Sequence, residues 1–251
     1  MDAVTDRVIR DAGTPDAVWL PWLDRLNVPR VTLHDLCADT CRLVVVAPHP
    51  DDELLACGGL LAAALQHGRP ALVIAVTNGE ASHGTDDTHA CARLGVLRAE
   101  ESLAGLRRLG VARSSVVRLG MADGKVTQNL PAVAASLTRL LQKNDVVVTT
   151  WRLDGHPDHE ATSQAVAQAC AATGSRLVQA PVWMWHWGEP GDVRIPWANM
   201  VAFDIPPDVA ILKQNALLEH QSQFFDRPGK GPVLVPSLVE RVKRAHEYFF
   251  V

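Results

Sequence analysis

Two short peptides hold most of the side chains in this sequence that could do chemistry together. "PHPDDE" (48–53) carries His49, Asp51 and Asp52, and "WRLDGHPDHE" (151–160) carries His156, Asp158 and His159. Adjacent carboxylates repel each other and are costly to bury unless they are paired or bind a metal. A mixture of imidazole and carboxylate suits Zn2+ better than Mg2+ or Ca2+, which prefer all-oxygen shells. Two histidines and one aspartate would leave a fourth position for water, the pattern of a catalytic rather than a structural zinc. Zinc lowers the pKa of such a water to about 7, and a spare carboxylate beside it can take the proton as general base. The doublet Asp51-Asp52 offers one carboxylate for each role. Taken alone, Asp52 could equally cap a helix, and the second peptide could be a solvated loop leading into one.

Peptides so far apart in the chain must be brought together by the elements that precede them. "LVVVA" (43–47), "ALVIAVT" (71–77), "SVVRL" (115–119) and "DVVVTT" (145–150) read as buried strands. They alternate with helical patterns at 53–67, 92–109, 129–142 and 159–172, with Asp51 or Asp52 placed to cap the first and Gly68 to end it. Nearly all-apolar strands spaced by helices indicate a mainly parallel sheet covered on both faces, a Rossmann-like α/β sandwich. In such sheets ligands bind outside the carboxyl ends of the strands, and both peptides follow strands. Beyond residue 176 the pattern is less regular. A long strand is expected at 177–188, another at 200–205, a helix at 207–223 and a helical tail at 234–248. The chain reads as one domain, with residues 1–40 as an N-terminal extension of unassigned role and 177–251 shaping the pocket.

"PHPDDE" followed by "GHPDHEAT" resembles the PIG-L/LmbE-type zinc deacetylases, which remove acetyl groups from N-acetylglucosamine-containing molecules. "RAEESLAGLRRLG" (98–110), "LGMADGK" (119–125) and "KQNALLEHQSQF" (213–224) extend the resemblance. It implies one Zn2+ held by His49, Asp52 and His159, with Asp51 as general base. His156 would stabilise the oxyanion and protonate the leaving amine, and Asp158 would hold and charge His156. Arg98 would contact substrate or acetyl product, fixed by Glu101 through an i,i+3 ion pair. His220 is a candidate substrate contact. Trp185, placed on one strand face with Trp183 and Trp187 in "VWMWHWG", is another. Asp154 stands where some relatives carry a tyrosine that helps to polarise the carbonyl. The implied reaction is hydrolysis of a small-molecule or glycoconjugate acetamide. The alternatives are a zinc hydrolase of another acyl amide or ester, and more remotely a binding protein or a receiver-like Mg2+ protein. The receiver reading lacks its phosphoacceptor Asp, because Asn78-Gly79 and Gly120-Met121 follow the relevant strands.

Composition excludes other classes. A formal net charge of −4 gives no footprint for nucleic acid or an anionic membrane. No uncharged run reaches the roughly 20 residues of a membrane span, and "MDAVTDRVIRDAG" lacks the apolar stretch of a leader. Five cysteines without paired spacing suit a reducing cytoplasm. GxGxxG spacing is absent from "CGGLLAAALQHG", so that peptide is not a dinucleotide site. Assembly into homo-oligomers is left open, as is a lid role for the polar loop 78–90.

Overall fold

The computed structural model describes residues 7–9, 13–227 and 231–251; most of the N-terminal peptide read as lacking a leader lies outside these. In chain order the elements are α1 (Asp16–Leu26), β1 (Arg30–Val31), α2 (Leu33–Leu36), β2 (Leu43–Ala47), α3 (Asp52–Gln66), β3 (Ala71–Thr77) and α4 (Thr88–Arg108). Then follow β4 (Val116–Met121), α5 (Leu130–Leu140), β5 (Val146–Thr150), α6 (Pro157–Thr173) and β6 (Arg176–Ala180). The last are α7 (Met184–Trp187), β7 (Met200–Asp204), α8 (Pro207–Leu217), α9 (Pro236–Val242) and β8 (His246–Phe250).

Among the described residues eight strands form one sheet in the order β1-β7-β8-β6-β5-β2-β3-β4, and only β8 runs antiparallel to its neighbours. The expected mixed α/β sandwich is therefore present. Successive strand residues face opposite sides. Leu43 and Val45 join a core with α3 and α8, whereas Val44 and Val46 join one with α5 and α6. The "LVVVA" run is apolar throughout because both faces are covered. No helix among the described residues is long and apolar enough to cross a membrane.

Several expected elements differ. The long strand at 177–188 ends at Ala180, and the tryptophans lie on or beside the short α7 rather than on one strand face. The tail is not one helix: α9 ends at Val242, and "HEYFF" enters the sheet as β8 between β6 and β7. Aromatic residues suit that slot, where Glu247 to Phe250 are buried on both faces of the sheet. Helix α4 starts at Thr88, capped by Asp87, so the loop after β3 is shorter than expected. Helix α8 stops at Leu217, with a separate 3-10 turn at Gln221–Gln223.

The N-terminal extension also packs. Trp19 of α1 is fully buried against Trp185, and its indole N–H donates to the Trp185 carbonyl at 2.9 Å. Helix α3 is broken at Cys57 (φ −155°, ψ 28°). The buried Glu247 carboxylate accepts the Gly59 and Leu60 N–H groups at 2.7 and 2.8 Å, capping the second half of the helix. Lys213 Nζ neutralises it at 2.7 Å.

A candidate metal centre at the carboxyl edge of the sheet

Strands β2 and β5 are hydrogen-bonded neighbours, with Val45 opposite Val148. From this pair the chain winds outward both ways, to β3 and β4 on one side and β6 on the other. Loops leaving such a switch point diverge and open a crevice. The peptide after β2 and the peptide after β5 both enter it, so the two motifs meet.

One oxygen is the hub. Asp52 Oδ2 lies 3.1 Å from His49 Nδ1 and 3.1 Å from His159 Nε2. It also accepts the His49 backbone N–H at 3.0 Å, which ties Asp52 back to its own turn. The helix start is therefore not capped by a side chain: Asp51 occupies the cap position without such a bond. The far nitrogens of both imidazoles also face carboxylates. His159 Nδ1 is 2.8 Å from Asp154 Oδ2, and His49 Nε2 is 3.1 Å from Asp123 Oδ1 and 3.4 Å from Asp158 Oδ2. Carboxylates in that position fix the tautomer and ring orientation of a metal-ligating histidine. His156 completes a group of three rings, with centroids 4.9 Å from His49 and 4.8 Å from His159.

The electrostatics ask for a cation. Burial alone would depress His159, but the Asp52 and Asp154 carboxylates push it up to about 9. His49 is likewise raised, against its burial, by Asp123, Asp158 and Asp52. Asp52 is held well below the usual carboxylate range although burial opposes this, because His159 and His49 surround it. Positive charge, from protons on the imidazoles or from a cation between them, balances these carboxylates. The donor set, two imidazoles and one carboxylate around a shared point, is that of a catalytic zinc site. His159 Nε2 supports the fit: it is buried and makes no well-formed hydrogen bond.

Asp51 is kept apart from the hub. Arg98 Nη2 bonds its Oδ2 at 3.1 Å and the Pro50 carbonyl at 2.6 Å, while Nη1 bonds the Gly79 carbonyl at 2.9 Å. Burial pushes the Asp51 carboxyl up to about 7, with Arg98 acting against that rise. Asp51 has φ +115°, a backbone conformation that costs an L-residue on the order of 1–3 kcal/mol. His156 is held down at about 3 by burial and by the charges of His159 and His49. Its Nδ1 accepts the Asp158 backbone N–H at 3.3 Å, so the neutral ring carries its proton on Nε2. The Asp158 carboxylate is occupied elsewhere, by the Gly124 and Val126 N–H groups at 2.7 and 3.2 Å and by His49. It thus steadies His49, and its backbone rather than its carboxylate bonds His156.

The cavity over this cluster measures about 520 Å3. His49, Asp51, Asp52, Arg98, His156 and His159 line its polar end. Trp183 also lines the cavity; Trp185, expected there, packs in the core against Trp19 and Tyr248, with the Arg244 guanidinium 4.4 Å above its ring. His220 is also displaced from its expected role. It is fully buried under α4, close to Gly105, and burial holds it at about 3. Glu101 does not hold Arg98; it accepts the Ser222 N–H and Oγ–H at 2.8 and 2.6 Å and anchors the 3-10 turn. The loop after β3 is tied down by Asp123 on the Ala81 N–H, Arg227 on the Ser82 carbonyl and His83 near the Ser222 carbonyl. Asp123 and the anchoring role of Asp154 escaped the sequence reading. The only signal for Asp123 was the "LGMADGK" peptide after a strand.

Sheet, switch-point crevice and His/Asp cluster define an α/β protein with a metal-type hydrolytic site. The chain belongs to the PIG-L family: residues 44–170 match the family described as GlcNAc-PI de-N-acetylase. It is 28% identical over 205 residues to a 1D-myo-inositol 2-acetamido-2-deoxy-alpha-D-glucopyranoside deacetylase of Mycolicibacterium gilvum, covering 67% of this chain and 70% of that one. It is 29% identical over 138 residues to a probable N-acetyl-alpha-D-glucosaminyl L-malate deacetylase of Bacillus anthracis, covering 51% and 59% of the two chains. Among solved structures, a teicoplanin deacetylase in a zinc-inhibited form superposes with a TM-score of 0.62 at 20% identity, over 83% of this chain and 97% of that one; this similarity shows a shared fold.

Proposed function

We propose that this chain is a zinc-dependent hydrolase that removes the N-acetyl group from an N-acetylglucosamine-containing small molecule or glycoconjugate. The observation that carries this reading is the convergence of His49 Nδ1, Asp52 Oδ2 and His159 Nε2 on one wall of a cavity that a separate carboxylate, Asp51, also lines. The substrate class rests on the relatives' acetamido-sugar substrates. His49, Asp52 and His159 would hold the metal; bound there, it would polarise the amide carbonyl and acidify an adjacent water.

The chain's own groups do the rest. Asp51, with its pKa near neutrality, accepts the proton of the attacking water as general base. Arg98 keeps that carboxylate aimed along the cavity wall and favours its ionised form. His156 stays neutral and presents Nε2–H to the carbonyl oxygen as negative charge develops there. One such donor is worth roughly 3–4 kcal/mol of transition-state stabilisation. The proton on Asp51 then passes to the leaving nitrogen, releasing acetate and a free amine. This assigns amine protonation to Asp51, which has just taken a proton, while His156 contributes its Nε2–H as a hydrogen bond. The reading includes a reducing cytoplasm, in keeping with five free cysteines.

The test is release of acetate and amine from matched N-acetylglucosamine derivatives by zinc-loaded protein. Asp51→Ala should keep its metal and lose nearly all turnover, whereas His159→Ala should lose the metal. Full activity in Asp51→Ala would refute the mechanism. Preferential release of a longer acid would move the chain to a broader acyl-amide or ester hydrolase.

A further inference from the structure

Asp51 is the only residue between Leu43 and Gln66 with a positive φ, and it is the proposed base. A φ of +115° turns the preceding peptide to an unusual angle against the Asp51 side chain. At this turn the neighbouring carboxylates part, Asp52 into the hub and Asp51 toward Arg98. An aspartate does not hold such a conformation unaided.

Five hydrogen bonds surround it. The Asp51 carbonyl accepts the first α3 bonds, from the Leu54 and Leu55 N–H groups at 2.9 and 3.0 Å. Arg98 pins the preceding Pro50 carbonyl at 2.6 Å. The Asp51 N–H donates to Glu53 Oε2 at 3.1 Å, and Ser102 Oγ donates to Glu53 Oε1 at 2.6 Å. Glu53 and Ser102 are each about 1% exposed and sit behind the cavity wall. Glu53 cannot meet substrate from there, and none of its hydrogen bonds goes to His49, Asp52 or His159. A buried carboxylate with no route to substrate, bonded to the strained amide of the base and locked by a serine on α4, acts on the site through Asp51.

We propose that Glu53, held by Ser102, is a positioning residue that maintains the strained backbone of Asp51 and so aims the base. The proposal rests on the assignment of Asp51 as base, and a structural measurement keeps the two separable. In Glu53→Ala, kcat for acetamide hydrolysis should fall roughly 10²-fold with KM changed by less than about threefold, the scale expected when a reacting group is misplaced by about 1 Å. Zinc stoichiometry should stay unchanged. Glu53→Gln, which keeps an oxygen acceptor, should recover most of the loss. Ser102→Ala should show a smaller loss in the same direction, and it decides the matter if Glu53→Ala does not fold. Added to Asp51→Asn, Glu53→Ala should cause no further fall, because the two residues then act through one carboxylate. A crystal structure of zinc-loaded Glu53→Ala, or of Ser102→Ala in its place, should show Asp51 φ relaxed from its positive value. Independent multiplication of the two losses, loss of zinc in step with turnover, or an unchanged Asp51 backbone in that crystal would each overturn the proposal. If the wild-type protein released no amine from any acetamido sugar, the functional reading would fall, and the crystal alone would still decide whether Glu53 sets Asp51.

Discussion

Asp154→Asn is the sharpest perturbation the site offers. The Asp154 side chain is fully buried and accepts four hydrogen bonds. Oδ1 takes the Val182 and Met184 N–H groups, each at 2.9 Å. Oδ2 takes the Trp183 N–H at 3.0 Å and His159 Nδ1–H at 2.8 Å. An asparagine has one oxygen, so whichever way it sits an NH2 group meets two donors. Hydrogen bonds to a charged group contribute about 1.5–3 kcal/mol each, so losing two should cost about 3–6 kcal/mol of fold stability. The orientation matters further. With NH2 at the Oδ2 position, His159 has no acceptor at Nδ1, and its proton moves to Nε2, the atom that must ligate. Zinc affinity should then fall roughly 10–100-fold, as is usual when the partner of a ligating histidine is removed. Competition with a chromogenic chelator reads the affinity, and urea denaturation with chelator present reads the apo stability. If stability fell as stated while zinc affinity stayed within about twofold of wild type, Asp154 would be only a staple for the 182–184 turn, and the assigned link to His159 would be wrong.

Other substitutions probe separate parts of the argument. The base works deprotonated, so turnover should be present at high pH and lost as pH falls through the Asp51 pKa; a bound cation can only lower that pKa from about 7. Arg98→Gln removes a positive charge that stabilises ionised Asp51, so the acid limb of the kcat/KM profile should move to higher pH; a limb that stays put or moves down would remove Asp51 from the role. Gly59→Ala would place a Cβ 2.9 Å from Ile205 Cγ1 and 3.0 Å from Glu247 Oε1. Overpacking of that kind costs about 1–3 kcal/mol, and thermal melting should show it without any change in zinc affinity.

Much of the molecule was legible in the chain. Leu43–Ala47 and Ala71–Thr77 are found where short apolar runs placed them, because strands covered on both faces tolerate no polar interruption. The His/Asp peptides were legible because an adjacent carboxylate pair beside histidine has few stable uses. The errors cluster where one-dimensional pattern carries little information. "HEYFF" alternates too briefly to separate strand from helix, and its slot between β6 and β7 exists only once both are in place. "VWMWHWG" suggested a strand by its alternating tryptophans, yet the Asp154 carboxylate gathers three successive N–H groups there and bends the chain into a turn.

Residue types and their order therefore determined the sheet class, the two metal-type peptides and the choice of ligands that they could offer. Which nitrogen of each imidazole faces the shared point, that Asp123 and Asp154 stand behind those rings, that Asp158 turns to His49, and that Trp183 rather than Trp185 meets the cavity were decided by tertiary structure. The reason is physical. A ligand's identity is a property of one side chain, but its tautomer, charge and direction depend on groups brought within about 3 Å by strands that are remote in sequence.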